Sequence, residues 1–470
     1  MGLIAPPGLP EAVAGITADS RAVRPGMLYA ALPGVRADGR DFIADAVARG
    51  ASVVLAPVGT AWPPGVPARP VIEAPEPRRA LALLAADHAG PQPALQVAVT
   101  GTNGKTSTVE FLRQLWADAG RQAASLGTLG VVAPGRAPTP GLTTPDPVAL
   151  AHTLASLARD GVGAVAMEAS SHGLHQHRLD GVRLRAAGFT NLSRDHLDYH
   201  GTTDAYRAAK LRLFAELLPE GAPVVAMADM DRDTLDALRA VAAQRGLPFH
   251  TVGAGGTLIR LLGTAPHGTG QVLELEAGGA RRTLELPLPG RFQADNALLA
   301  AGLATVTGLA DALDRLPRLS GVRGRLELAA TPNGAAVYVD YAHTPDALAR
   351  LIQALRPHTA GRLHIVFGAG GDRDGGKRPL MGAAAAGADC VTVTDDNPRT
   401  EDPAAIRAAV LAGCPGAREI GDRRAAIAAA LSDLRPGDVL AVAGKGHEQG
   451  QTIGTHILPF DDAQTVRDLL

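Results

Sequence analysis

The run Val97–Phe111, VAVTGTNGKTSTVEF, constrains the chain more than any other. A short apolar stretch enters a loop with two glycines, and the loop ends in Gly-Lys-Thr where a helical pattern begins. A buried strand leading through such a loop into a helix aims backbone N–H groups and the positive end of the helix at one spot, which suits phosphate. Lys105 can reach the β/γ oxygens and the Thr106 hydroxyl can hold Mg2+, with Gly101, Thr102, Asn103, Gly104 and Ser107 completing the cradle. The spacing departs from G-x-x-x-x-G-K-[ST], because Val99 stands six residues before Lys105. Nucleotide binding is the expectation.

The same rhythm recurs around it. "GAVAMEA", "AAGFTNL" and "PVVAMAD" read as further buried strands, and "TSTVEFLRQLWADAG" as a helix with Val109, Leu112, Leu115 and Trp116 on one face. That alternation predicts a parallel sheet covered by helices. Residues 1 to 92 alternate short strands with Gly/Pro turns and end in a helical stretch, "RRALALLAADHAG", before the linker "PQP". A Gly-rich joint, "LSGVRGRLE", closes the central region. Beyond it "AAVYVD", "LHIVFG", "CVTVTD" and "DVLAVAG" each run into a polar loop: "YAHTPD", "AGGDRDGGKR", "DNPRTED" and "KGHEQG". Thr344 is set to cap a helix with Pro345 in its first turn and Leu348, Leu351, Ile352 and Leu355 on one face. Open α/β sheets bind ligands at the carboxyl ends of their strands, so these loops predict a shared site. The fold class is α/β in three domains: 1–92, 93–324 and 325–470.

The length of 470 residues suits about three domains. A net charge of −2 gives no basic footprint for nucleic acid. Two cysteines, Cys390 and Cys414, fit a reducing compartment, and no signal peptide or membrane-length apolar run is read, so the cytoplasm is expected. Arginine carries nearly all the positive charge; the lysines are Lys105, Lys210, Lys377 and Lys445. A lysine is a compact charge that can also act as an amine, so each one poses a question.

Three stretches raise alternatives. Glu168 ends a buried strand, where a carboxylate needs a partner: an arginine such as Arg178, or Mg2+. "TNLSRDHLDYHGTTDAYRAAK" gathers His196, Asp198 and His200 without zinc spacing, which reads equally as capping, and puts Tyr206 and Lys210 on one helix face. A lysine there is ordinarily a surface residue with a buried stem. "VTDDNPRTEDP" sets Arg399 among carboxylates on a loop stiffened by Pro398, either as a surface salt bridge or as a clamp for an anion.

"TGTNGKTST", "MEASSHGLHQHR", "TNLSRDHLDYHG", "YRAAKLRLF", "VDYAHTPDAL", "GAGGDRDGGKRPLMG", "TDDNPRTEDP" and "AGKGHE", in this order, resemble the Mur ligase family over essentially the whole chain. The resemblance implies an N-terminal UDP-binding domain, a central P-loop ATPase-like sheet domain and a C-terminal Rossmann-like domain. It implies an ATP-dependent ligase that adds meso-2,6-diaminopimelate to UDP-N-acetylmuramoyl-L-alanyl-D-glutamate in peptidoglycan precursor synthesis. The γ-carboxylate would be phosphorylated by ATP and the acyl phosphate attacked by the amine. Lys105, Thr106, Glu168 and His196 match ATP and magnesium positions. Lys210 matches a lysine that carries a carbamate and so becomes an anionic ligand for a second Mg2+. Asn296, Arg325 and Asp340 match further ATP contacts.

Ala18, Ser20, Val35, Arg36, Ala37, Thr143, Thr144, Ser170, Gln176 and Arg178 match the UDP-muramoyl dipeptide positions. Arg373, Asp396, Asn397, Pro398, Arg399, Gly444 and Glu448 match the diaminopimelate positions. The chain departs from the family at Gln293 and Met227, where asparagine is usual. A monomer acting on small molecules, with no nucleic-acid or membrane partner, is implied. The alternatives are a lysine-adding ligase of the same family, a folylpolyglutamate-synthetase-like ligase, and a nucleotide-gated binding protein without chemistry. Closure of the C-terminal domain is expected to exclude water, and His343 is the weak candidate for the base that deprotonates the amine.

Overall fold

Each apolar run named above becomes a strand in the computed structural model, which describes residues 12–34, 37–136 and 141–470. The chain packs as two units: residues up to Thr251 with Gly302–Ala310, and Val252–Ala301 with Asp311–Leu470.

In the first unit, Ile16–Thr17, Leu28–Ala30, Val53–Pro57 and Val71–Ala74 form a parallel sheet in chain order. Strand side chains alternate between faces. Leu28, Ala30, Val53 and Leu55 therefore pack with Leu81 of the helix Pro77–Ala89, while Tyr29 and Val54 pack with Ile43 and Val47 of the helix Ile43–Ala48. The central sheet runs Val224–Met227, Ala186–Phe189, Leu95–Thr100, Ala164–Glu168, Ala123–Gly127, all parallel, with Gly130–Val132 antiparallel beyond. Leu95–Thr100, the strand feeding the phosphate loop, is thus flanked by the strand that ends in Glu168 and by the one that leads to Thr190 and Asn191. This strand order, which chain order does not reveal, brings the conspicuous motifs of the middle region to one sheet end.

In the second unit, the order is Glu327–Ala330, Ala336–Asp340, Val439–Ala443, Leu363–Phe367, Cys390–Val393 and Arg418–Glu419, parallel except for the first. Both faces are covered. Leu348, Leu351, Ile352 and Leu355 of the helix Pro345–Leu355 join Ile365 and Phe367 in one core. Val337, Val339, Val366 and Leu440 pack with Ile427 and Val466 in the other. Thr344 caps its helix by accepting from the Ala347 amide at 3.3 Å, as its sequence position requires.

Two elements lie outside the sequence reading. An antiparallel meander, Ile259–His267, Gly270–Ala277 and Ala280–Leu286, fills the stretch before residue 290. A hairpin of Gly450–Ile453 with His456–Pro459 follows the last polar loop. Among the described residues no helix is long and apolar enough to cross a membrane.

Candidate active site

The phosphate loop forms at the middle of the central sheet. Gly104 precedes the helix Lys105–Asp118 in a left-handed conformation with φ 84°. At Gly101, with φ +136°, a Cβ would lie 1.9 Å from Thr190 Oγ1, so only glycine fits. The neighbouring strand end braces the loop. The Thr102 amide donates to Asn191 O at 2.8 Å, the Asn103 amide to Asn191 Oδ1 at 3.0 Å, and the Thr190 hydroxyl to Asn103 O at 2.6 Å. Sequence reasoning did not single out Thr190 or Asn191; their only local signal was "TNLS" at a strand end. Lys105 folds back, donating to Gly101 O at 2.9 Å and Thr102 O at 2.7 Å. Thr106 and Ser107 are buried in the first helical turn.

Lys210 is only 1 % exposed, so it is not the surface lysine of the ordinary reading. Its Nζ donates to Gly101 O at 2.7 Å and sits 4.4 Å from the centroid of the Tyr206 ring. Burial, and then the nearby Lys105, push its ammonium well below the usual lysine range. An unprotonated amine is the form that can capture CO2. A π-helical turn, Leu213–Leu217, follows directly; such turns are frequent at functional sites.

Glu168 is 2 % exposed and makes no ion pair with Arg178. Its carboxylate accepts from the Thr128 amide at 2.7 Å and the Thr128 hydroxyl at 3.3 Å. Gly127 makes this possible, because a Cβ there would stand 2.0 Å from Glu168 Oε1. His196 has φ 50° and a half-exposed side chain, with Nε2 3.5 Å from Asp195 and its ring against His172 at 4.9 Å. Strained backbone of this kind concentrates at functional sites. Among the described residues no three His, Cys, Asp or Glu side chains gather into a metal site by themselves. A cation held here would draw ligands from the Glu168 carboxylate, the Thr106 hydroxyl and bound phosphate, the hard oxygen donors that suit Mg2+.

The residues expected for the dipeptide end lie in the same unit. Thr143 shares a hydrogen bond with Thr128 at 3.1 Å. Thr144 donates to Glu168 O at 2.9 Å and accepts from the Ser170 amide at 3.0 Å. Ser170 caps the helix Ser171–His175, Gln176 donates to the Tyr199 hydroxyl at 3.0 Å, and Arg178 donates to Thr144 O at 2.6 Å. Arg178 forms no ion pair among the described residues, and burial lowers its pKa, as for a cation short of counter-charge. Gln176 and Arg178 line a cleft of about 550 Å³ with Ala18, Leu32, Arg78 and Asp146. Ser20 is buried in the turn Ser20–Ala22 and does not line it. Ala37 is described, whereas Val35 and Arg36 lie outside the described residues.

In the second unit Gln293 is fully buried and donates to Arg325 O at 2.9 Å, while Asn296 donates to Gln293 Oε1 at 3.3 Å. The departure at Gln293 is therefore a built-in link between two expected ATP residues. Arg325 lies over the Tyr341 ring at 4.7 Å. Asp340 accepts from the amides of Leu326 and Ala342, both at 2.8 Å, and burial raises its pKa. His343 is exposed; its ring Nδ1 lies 2.8 Å from the Tyr341 carbonyl, and its own carbonyl accepts from Lys377 Nζ at 3.2 Å.

The polar loops converge as expected from parallel strand ends. Arg399 sits at φ 53° and donates from Nη1 to Gly371 O at 2.7 Å. It forms no ion pair among the described residues, and neither does the exposed Arg373, so the salt-bridge reading of "DNPR" does not hold. The hairpin grips this loop: the Arg399 amide donates to Thr452 O at 3.1 Å and the Gly454 amide to Arg399 O at 2.6 Å. Asp396, Asn397 and Pro398 are buried behind it. Gly444, at φ +114°, leaves room for Asp396, whose Oδ2 would lie 2.5 Å from a Cβ there. Asn397 donates to Glu448 Oε2 at 3.0 Å. Lys445, noted in the sequence only as one of four lysines, is fully buried against both.

Three family models match in order: the Mur ligase family catalytic domain over residues 12–89, the Mur ligase middle domain over 99–304, and the Mur ligase glutamate ligase domain over 324–446. The UDP-N-acetylmuramoyl-L-alanyl-D-glutamate–2,6-diaminopimelate ligase of Caulobacter vibrioides is 55 % identical over 468 residues, covering 97 % of this chain and 95 % of its own. A solved structure with the same enzyme title is 34 % identical, with a TM-score of 0.74, and is matched over 97 % of this chain and 94 % of that one. A Mycobacterium tuberculosis folylpolyglutamate synthase complexed with ADP and AMPPCP shares the fold alone, at 21 % identity and a TM-score of 0.62. It covers 78 % of this chain and 92 % of its own.

Proposed function

The chain belongs to the Mur ligase family, and on that premise we propose that it is an ATP-dependent amide ligase joining meso-2,6-diaminopimelate to UDP-N-acetylmuramoyl-L-alanyl-D-glutamate. The assigned roles are UDP binding for residues 1–92, ATP binding for 93–324 and amino-acid binding for 325–470. The observation that carries the substrate is the pair of guanidiniums without ion pairs among the described residues, Arg399 and Arg373, in loops next to the one that presents the Glu448 carboxylate. Diaminopimelate has a second amino-acid head, carboxylate plus ammonium; the side chain of lysine ends in an ammonium but lacks the carboxylate. Arg399 can clamp the carboxylate, and Glu448 suits the ammonium.

In the first unit the chain's own part is positioning and charge. The amides of the phosphate loop and Lys105 bind the polyphosphate and offset its charge as the γ-phosphoryl moves to the substrate carboxylate. Thr144, Ser170, Gln176 and Arg178 hold the dipeptide end. Thr106, Glu168, His196 and Lys210 as its carbamate would hold Mg2+, two ions in the fullest reading, which supplies Lewis-acid neutralisation of the phosphoryl oxygens when bound. In the second unit Asn296, Arg325 and Asp340 are assigned to ATP. Attack of the free amine on the acyl phosphate forms the C–N bond, releases inorganic phosphate and leaves an amide after loss of a proton.

The test is phosphate release by the full chain with ATP, the UDP-muramoyl dipeptide and one amine at a time. Release that needs both dipeptide nucleotide and meso-diaminopimelate is the expected result. Equal use of L-lysine would sink the substrate assignment, and silence with every amine would favour a nucleotide-gated binding protein.

A further inference from the structure

A lysine is costly to bury unless its charge is answered, and Lys445 has no exposed surface. Its ammonium donates to Asn397 Oδ1 at 3.1 Å and to Glu448 Oε2 at 3.3 Å. Asn397 closes the triangle, since its Nδ2 donates to the same Glu448 oxygen at 3.0 Å. Asn397 Oδ1 also accepts the Thr452 amide at 2.8 Å. A lysine ammonium and a backbone amide can only donate, so this amide group has one orientation. Glu448 Oε1 is left without a hydrogen bond among the described residues, and its side chain keeps 35 % exposure. One carboxylate oxygen is thus fixed from behind while the other is free for a ligand.

A second buried cation holds the frame. Arg423 is paired with Asp462 at 2.7 Å, both fully buried, and donates to Ala443 O at 2.9 Å and Asp395 O at 3.5 Å. These carbonyls begin the two loops that carry Lys445 and Asn397.

We propose that Lys445 is a positioning residue that sets the polarity of the amino-acid site. It locks Asn397 in one orientation and holds Glu448 with Oε1 outward. The ammonium of an amino-acid head then goes to Glu448 and its carboxylate to Arg399. Lys445 thereby acts on the affinity for an amino-acid head, without touching substrate itself. This inference rests on the substrate reading above.

The test compares wild type, Lys445→Met, Glu448→Gln and the double variant, all as the full chain. KM and kcat are measured for meso-diaminopimelate, L-lysine and ATP, with thermal unfolding alongside. Lys445→Met is expected to raise KM for diaminopimelate about 10- to 100-fold, the worth of a hydrogen bond to a charged group. KM for ATP should stay within about twofold, as a site-specific change requires. Removing one partner of a buried ion pair can unfold a protein, whereas removing both is far milder. The double variant is therefore the safeguard, and it should match Glu448→Gln alone, because Lys445 acts through Glu448.

An unchanged diaminopimelate KM in Lys445→Met, a parallel rise in the ATP KM, or full additivity in the double variant overturns the proposal. If the wild type uses L-lysine as well as diaminopimelate, the substrate reading fails instead. The amine KM of Lys445→Met still decides the role of Lys445 in that case.

Discussion

Adding one methyl group at Gly127 should disable the Glu168 carboxylate without altering any charged residue. The backbone there is not in the left-handed region, so Gly127→Ala brings no φ strain and isolates the side-chain clash. The new Cβ would lie 2.0 Å from Glu168 Oε1 and 2.6 Å from its Cγ and Cδ. Reaching even a tight contact moves the carboxylate by about 1 Å, and a misplacement of that size in a reacting site costs about 100-fold in rate. The retreat also breaks the 2.7 Å bond from the Thr128 amide to a buried carboxylate, which is worth about 1.5–3 kcal/mol of stability. Phosphate release should fall by that order and require more Mg2+, while nucleotide binding at the separate Lys105 loop persists. Combining Gly127→Ala with Glu168→Asp withdraws the carboxylate by one methylene and should recover melting temperature without recovering turnover. A Gly127→Ala enzyme that melts and turns over like the wild type refutes the reasoning, since the carboxylate would then have either no clash or no positional role.

Lys210→Ala should abolish turnover, and added short carboxylic acids should restore part of it by supplying the missing oxygens; full activity in the unrescued variant would eliminate the carbamate role. Arg399→Ala should raise KM for diaminopimelate at least about tenfold, the usual cost of a lost charged hydrogen bond, with ATP affinity nearly intact; isothermal titration with each ligand separates the two. His447 is held down to about 4 by burial, then by Arg325 and Arg323. A depressed histidine is neutral in the folded chain where the unfolded chain already binds a proton, so stability is lost as pH falls from 6.5 toward 4. Urea titrations of His447→Gln across that window should show a shallower decline than wild type, and identical slopes would argue against it.

Much of this site was legible because its elements carry local signatures. A strand, a glycine loop and Gly-Lys-Thr announce a phosphate cradle whatever surrounds them. Thr344-Pro345 announces a helix start, and the four C-terminal apolar runs appear as parallel strands ending in the polar loops expected. The meander at 259–286 was missed although "VLELEAGGARRTLEL" alternates around a Gly-Gly turn. Its outer strand buries little, and a bulge at Leu261/Gly263 interrupts the pattern. Asn191, Lys445 and Arg423 were unreadable for a different reason. Their roles come from partners far away in the chain, and no composition or periodicity encodes that a lysine will be enclosed by Asn397 and Glu448. The alternatives for Glu168 and Arg399 needed coordinates too, because a carboxylate beside arginines in sequence says nothing about whether they meet.

The brace between the phosphate loop and the Thr190–Asn191 strand end has a bearing on inhibitor escape. On the loop side its contacts are main chain, the amides of Thr102 and Asn103 and the Asn103 carbonyl, and Gly101 tolerates no side chain. A compound that reads these main-chain atoms would meet groups that a point mutation cannot delete. Resistance would have to arise by reshaping the approach to the loop, where substitutions are free to vary, rather than at the contact itself.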